Sequence, residues 1–425
     1  MLDPALLRAH PETVRRGVRA KRIAGAEAAL DDLLLLDEEH RLLRQELEEL
    51  QARRNAGAKR IGAAKRAGED ASEAMREVAG VSAEAKRLEE RERALRDRID
   101  RLRLEIPNVP HESVPDGAGP QDNVVVHERQ GIAPLAEPEP HWAFLTRKGW
   151  LDLEAGARVT GAGFPVLRGD GVRLVRALEA FFLARLAAAG YEEVRVPLLA
   201  NEASATATGQ LPDKEGQMYR VDDGLYLIPT SEVVVTNLYR DAILDEDALP
   251  LRICASTPCF RREAGSHGKE VRGLNRVHQF DKVEMVVFSP AAASYDELEL
   301  MTELAEGLLD ELGLRYRRLS MCSGDMGFTQ AKKYDLEAYA PGQDRWLEVS
   351  SVSNLTDFQA RRMRTRARPG GPGGKGRPEP VHTLNGSALA LPRTVAALVE
   401  TYRTEDDVVQ LPDALRPFVG GDRLG

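Results

Sequence analysis

Between about residue 27 and residue 105 the chain has no proline and is dominated by Leu, Glu, Arg and Ala, a composition that favours long, uninterrupted helix. Leu36, Leu43, Leu50 and Gly57 recur every seven residues, with Leu47 and Ile61 on the alternate seam. Farther on, Val78, Val81, Ala85, Leu88, Glu92, Leu95, Ile99, Leu102 and Ile106 alternate steps of three and four. Both halves therefore carry a heptad seam that calls for a helical partner. Gly68, Glu69 and Asp70 separate them, which predicts an antiparallel hairpin rather than a single rod. With roughly 35 residues per helix, the arm would be on the order of 50 Å long. A coiled coil alone is ordinarily a spacer or an oligomerisation device. Here the turn end holds Arg53, Arg54, Lys59, Arg60, Lys65 and Arg66, with no carboxylate between Glu49 and Glu69. That end suits an anionic partner.

At 425 residues the chain has room for a second domain with a large core. Its net charge of −9 argues against indiscriminate nucleic-acid binding, but the charge is uneven. Residues 1–106 hold 23 Lys and Arg against 22 Asp and Glu, leaving 36 against 46 for the remainder. A locally basic face can still bind RNA, with affinity that falls as salt rises. Cys254, Cys259 and Cys322 show no Cys-x-x-Cys spacing, so no structural zinc is expected and a reducing compartment is. No apolar run approaches membrane-spanning length, and the N-terminus carries no signal-peptide core. The expectation is a cytoplasmic protein with no membrane partner.

The densest chemistry lies in residues 259–284. Residues 259–263 read Cys-Phe-Arg-Arg-Glu, and after a polar, glycine-rich loop residues 276–284 read Arg-Val-His-Gln-Phe-Asp-Lys-Val-Glu. Read as strands, Arg261 and Glu263 share one face, and Arg276, Phe280 and Glu284 share a parity. Val277, Val283, Met285 and Val287 take the opposite, core-facing parity. Such a hairpin suits a nucleotide: arginine pairs with phosphate, an aromatic ring stacks on a base, and carboxylates accept from amino groups. Thr230 and Glu232, after the apolar run 225–229, would likewise share a strand face and suit a small zwitterion. Glu348 and Ser351 differ in parity, so one site can hold both only through a bulge or a strand end. Pro392 suits a first helical turn. Arg393 then sits where the helix dipole disfavours a cation, a conflict that a bound polyphosphate would resolve. Residues 369–380, rich in Gly and Pro, read as a flexible loop.

These runs resemble the motifs of class II aminoacyl-tRNA synthetases, and the chain from Met1 to Arg393 resembles the bacterial-type seryl-tRNA synthetases. Residues 259–284 match motif 2, and residues 385–393 match motif 3. The helix-like 174–188 with the following 190–197 resembles motif 1, which builds the family's dimer interface. The resemblance implies an α+β fold. Residues 1–110 would be a tRNA-binding domain with an antiparallel coiled-coil arm at about 27–105. Residues 111–425 would be a class II catalytic domain on an antiparallel β-sheet flanked by helices, joined through a linker at 107–120. It implies ligation of L-serine to tRNA(Ser) through ATP and seryl-adenylate, with tRNA(Sec) left open. It also implies a homodimer whose arm contacts tRNA across the dimer.

Residue by residue, the resemblance assigns transition-state charge to Arg261, Arg276 and Arg393. Serine would meet Thr230, Ser231, Glu232, Arg261, Glu284 and Ser387. ATP would meet Arg261, Arg262, Glu263, Arg276, Val277, Phe280, Glu348, Val349, Ser350, Ser351 and Arg393, with Glu348 and Ser351 holding its Mg2+. Arg53, Arg54, Lys59 and Arg60 would touch tRNA. The chain departs from the family at Gly163, where Arg is usual, around Pro165, near which an aromatic is, and at Glu270 and Val271, where Asp-Thr is common. Two rivals are a carrier-protein ligase, whose relatives lack the arm, and a non-catalytic coiled-coil binder. The second would show decay of Arg261, Glu263, Arg276, Phe280, Glu284 and Arg393, all of which are present.

Overall fold

The computed structural model describes the chain except residues 214–215, 264–271 and 371–373. It divides into two compact units, Met1–Pro107 and Asn108–Gly425.

The first unit contains α1 (Pro4–Ala9), α2 (Pro11–Ala20), α3 (Ala26–Ala67) and α4 (Ser72–Glu105). Asp3 caps α1 by accepting from the Ala5 N–H at 2.8 Å. The long helices α3 and α4 lie against each other, burying Leu36, Leu43, Leu50 and Gly57 of α3 with Val81, Ala85, Leu88, Leu95 and Ile99 of α4. Gly57 is required by this contact, since a Cβ there would collide with Val78. Glu92 enters the seam as the partner of His40, 2.8 Å away. The turn is made by Gly68 at φ +73°, and the Asp70 carboxylate then accepts from the Ser72 N–H at 2.9 Å. At 42 residues α3 runs about 63 Å, longer than the expected arm, whereas α4, at 34 residues, runs about 51 Å.

The second unit is built on β1 (Val124–Arg129), β2 (Glu192–Glu193), β3 (Leu251–Phe260), β4 (Gln279–Ser289), β5 (Tyr316–Ser320), β6 (Lys332–Ala340), β7 (Arg345–Asn354) and β8 (His382–Ala390). They form one sheet in the order β1-β5-β6-β7-β8-β4-β3-β2, antiparallel except for β2 on β3. Three helices, α5 (Asp170–Ala188), α7 (Ser294–Glu311) and α8 (Leu391–Tyr402), fill the core on one face. Their Leu178, Phe181, Phe182, Leu298, Met301, Val395 and Leu398 meet Val283, Met285, Val287 and Leu336 of the strands. This is the apolar parity expected of β4. The opposite parity of β4 changes character along its length. Val286 and Phe288 pack in a second cluster with Val235 of α6 (Glu232–Asn237), whereas Phe280, Lys282 and Glu284 open onto a cleft.

Three expectations change. β3 ends at Phe260 and β4 starts at Gln279, so Arg261, Glu263 and Arg276 lie beyond the strands, and Glu263 has φ +48°. Thr230 and Glu232 do not lie on a strand either: the chain turns there and Glu232 opens α6. The segment 369–380 is not wholly loop. Glu379–Pro380 pairs with Arg366–Arg368, which also pairs with Ile243–Asp245.

Candidate active site

The cleft encloses about 210 Å³ between the ends of the β3–β4 hairpin, the Thr230 turn, β7, β8 and the start of α8. Its wall includes Thr230, Glu232, Arg261, Glu263, Arg276, Val277, Phe280, Glu284, Glu348, Val349, Ser350, Ser351, Ser387 and Arg393. Two residues expected here are absent from the wall. Ser231 is buried with its hydroxyl unpartnered among the described residues. Arg262 is exposed, its backbone N–H donating to the Gln217 carbonyl at 3.0 Å. Six other polar residues join the wall without having been singled out for a role: Gln210, Asn275, Lys282, Gln330, Ser353 and Asn385. Lys282 was legible, because it shares the parity of Phe280 and Glu284.

The floor is polar and closed. Lys282 Nζ lies 2.5 Å from Glu284 Oε2 and donates to Thr230 Oγ1 at 3.0 Å. Ser387, opposite Glu284 in the β8–β4 ladder, donates to the same carboxylate at 3.2 Å. Its position is fixed in turn by Ser350, whose hydroxyl donates to the Ser387 carbonyl at 2.6 Å. Glu232 accepts from Gln359 Nε2 at 2.7 Å, and Gln359 is held by Thr383 at 2.9 Å. Burial, then the nearby Glu284 charge, pushes the Glu232 carboxyl up to about 7.

The upper wall carries the arginines. The Arg261 guanidinium lies 5.2 Å from the Phe280 ring centroid, and its Nε donates to the Pro229 carbonyl at 3.2 Å. Arg276 is paired with Glu263. Arg393 is in the first turn of α8, but two backbone carbonyls already hold it there. Its Nε donates to Asn275 O and its Nη1 to Glu348 O, each at 2.8 Å. The helix-start conflict is thus met within the chain, and a polyphosphate is not needed to explain that arginine.

The parity problem at Glu348 and Ser351 is resolved by a bulge. In the β6–β7 ladder Leu336 opposes Ser350 and Glu337 opposes Glu348, leaving Val349 as the extra residue. Ser351 then opposes Asp335, two positions from Glu337, so Glu348 and Ser351 face the same way. The Glu348 side chain is open to the cleft; partial loss of hydration there works against its ionisation, but Lys333, then Arg393, Arg261 and Lys282, hold its carboxyl below the usual range.

Gly163 has φ +83°, accepts from the His278 N–H at 2.9 Å, and has no room for a Cβ against the His278 ring. Phe164 stacks on that ring, with centroids 5.2 Å apart. Pro165 lines a neighbouring cavity. Glu270 and Val271 lie outside the described residues. On α3, Arg53 and Lys59 are exposed, Arg54 is half-buried, and Arg60 pairs with Glu77 at 3.2 Å.

Comparison with known proteins gives a consistent picture. Residues 1–110 match the seryl-tRNA synthetase N-terminal domain, and residues 218–402 match the tRNA synthetase class II core domain (G, H, P, S and T). The serine–tRNA ligase of Salinibacter ruber is 50% identical over 436 residues, spanning 100% of this chain and 99% of that protein. That of Nitratidesulfovibrio vulgaris is 47% identical over 428 residues, with 99% of each chain covered. The crystal structure of seryl-tRNA synthetase from Pyrococcus horikoshii complexed with ATP superposes with a TM-score of 0.94, at 34% identity, covering 100% of this chain and 99% of that one.

Proposed function

Because this chain belongs to the seryl-tRNA synthetase family, class II enzymes that ligate serine to tRNA with ATP, we propose that the cleft is where it activates serine. The observation that carries this reading is the charge of the floor. Two carboxylates, Glu232 and Glu284, face one ammonium, Lys282, beside the hydroxyls of Thr230 and Ser387. With both carboxylates ionised, the floor lacks one positive charge, which the α-ammonium of an amino acid supplies. Glu284 accepts from the serine hydroxyl, so alanine would forgo that hydrogen bond to a buried carboxylate and be rejected.

A serine carboxylate oxygen then bonds to the α-phosphorus of ATP as the bond to pyrophosphate breaks. The terminal adenosine hydroxyl of tRNA next attacks the seryl carbonyl and releases AMP. No covalent protein nucleophile is required, because positioning and charge stabilisation carry phosphoryl transfer. Arg261 holds the α-phosphate; Arg276 and Arg393 neutralise the outer phosphates. Drawing Arg276 away from Glu263 frees that carboxylate for the adenine amino group, while the base stacks on Phe280. Magnesium fits the residues present: the bulge gathers a carboxylate and a hydroxyl, hard oxygen donors that leave room for phosphates and water. Bound there, it would screen phosphate charge.

The same reading gives the arm, through Arg53, Arg54, Lys59 and Arg60, the task of holding tRNA(Ser) across a homodimer seamed by residues 174–197. It places the enzyme in the cytoplasm. Pyrophosphate exchange tests the floor directly. Serine should support exchange while glycine, alanine and threonine do not; equal exchange with alanine removes Glu284 from the reading. Charging assays with tRNA(Ser) and tRNA(Sec) side by side define the RNA substrates.

A further inference from the structure

Across the ladder from Ser351 and Ser353 lies an Asp–Lys pair that is not part of the cleft wall. In the β6–β7 ladder Asp335 opposes Ser351 and Lys333 opposes Ser353, all on the face that carries Glu348. Asp335 is 4% exposed. Its Oδ2 lies 3.0 Å from Lys333 Nζ, whereas its Oδ1 is buried and has no hydrogen-bond partner among the described residues. A buried carboxylate oxygen without a donor is unfavourable and uncommon. A purely structural ion pair gives no reason to leave it so. The Ser351 hydroxyl, directly across the ladder, stands against this carboxyl.

We propose that Asp335, anchored by Lys333, is a positioning residue for Ser351: when Ser351 Oγ turns a lone pair to the magnesium of bound ATP, its proton turns to Asp335 Oδ1. This rests on the reading of Glu348 and Ser351 as the pair that holds the metal. The donated hydrogen bond fixes the hydroxyl and makes its oxygen the more basic ligand. Lys333 keeps Asp335 in place and adds positive charge behind Glu348.

The test is calorimetric ATP binding to the full-length protein across a range of magnesium concentrations, with serine binding measured on the same samples. Asp335→Asn keeps the volume. Its amide oxygen turns to Lys333 and its NH2 to Ser351, placing a donor where an acceptor is needed. At limiting magnesium, apparent ATP affinity should fall roughly tenfold or more. The loss should shrink as magnesium approaches saturation, and serine affinity should stay at the parent level. Ser351→Ala should give the same loss, and the double variant no greater one, because Asp335 acts through Ser351. Additive losses, a loss indifferent to magnesium, or a parallel loss of serine binding would each overturn the inference. If Ser351→Ala and Glu348→Gln leave the magnesium dependence intact, the metal-holding reading falls and takes this one with it. If they shift it while Asp335→Asn does not, this inference alone fails.

Discussion

In the arm, a residue's fate follows from its place in a count of seven. Leu36, Leu43 and Leu50 are buried, while Leu35 and Leu42, one position away, are 67% and 63% exposed. In the cleft, counting fails at the residues that matter most. Glu348 and Ser351 share a face only because Val349 is bulged out, and Arg261, Glu263 and Arg276 reach the wall from beyond the strand ends. The arm repeats one local interaction, so its pattern is redundant and each position is replaceable by its like. The cleft joins side chains from segments far apart in the chain, from Gln210 to Arg393, and each contact is made once.

That contrast can be broken most sharply at Glu284. Glu284→Ala removes a buried acceptor and leaves Lys282 without its carboxylate partner. Serine-dependent pyrophosphate exchange should fall by roughly 10³ or more, with the fold preserved by circular dichroism. Near-parent exchange would mean that the floor is as replaceable as the arm. Replacing residues 27–105 with a short linker tests the other side. Exchange should survive, whereas tRNA affinity at one fixed salt concentration should fall by about 10² or more, as expected when several phosphate contacts are lost. Equal affinity in both proteins removes the arm from tRNA binding.

A smaller effect sharpens the electrostatics of the floor. The Glu232 carboxyl is raised to about 7, first by burial and then by Glu284. Below that pH it is protonated and offers the serine ammonium no charge; above it, it does. Serine KM should therefore fall as pH rises toward neutrality, by up to about tenfold per unit at the steepest, and Glu232→Gln should flatten the profile. The sign for stability is the reverse. The folded state keeps its proton to higher pH than the unfolded one, so Glu232 lowers stability progressively as pH rises from the ordinary carboxylate range toward 7.

The smallest effect concerns Arg393. Read only as a cation at a helix start, its removal would leave the unliganded protein unchanged or slightly more stable. Because it holds the carbonyls of Asn275 and Glu348, Arg393→Ala should instead lower unliganded stability by about 1–2 kcal/mol. ATP affinity should fall as well. Thermal denaturation without ligand decides between the two expectations.

Much of the second unit was legible where one side of a strand met a core. Val283, Met285 and Val287 announce their face, and Lys282 could have been read from the parity of Phe280 and Glu284. Thr230 and Glu232 were chosen for their chemistry and reach the cleft, but by a turn into α6 rather than along a strand. Ser231 lies between them and points elsewhere, since neighbours on a turn do not share a direction.

The sequence by itself determined the helical hairpin, its break at Gly68 and the residue types gathered for a nucleotide and a small zwitterion. Those follow from periodicity and from chemistry carried by each residue alone. Only the tertiary structure decided that Arg393 is tied to two carbonyls, that Gln359 supports Glu232 across 127 positions, and that Val349 yields its place in the ladder so Glu348 and Ser351 can face together. Such facts depend on register between distant strands, which is set by packing over the whole sheet and not by any local run of residues.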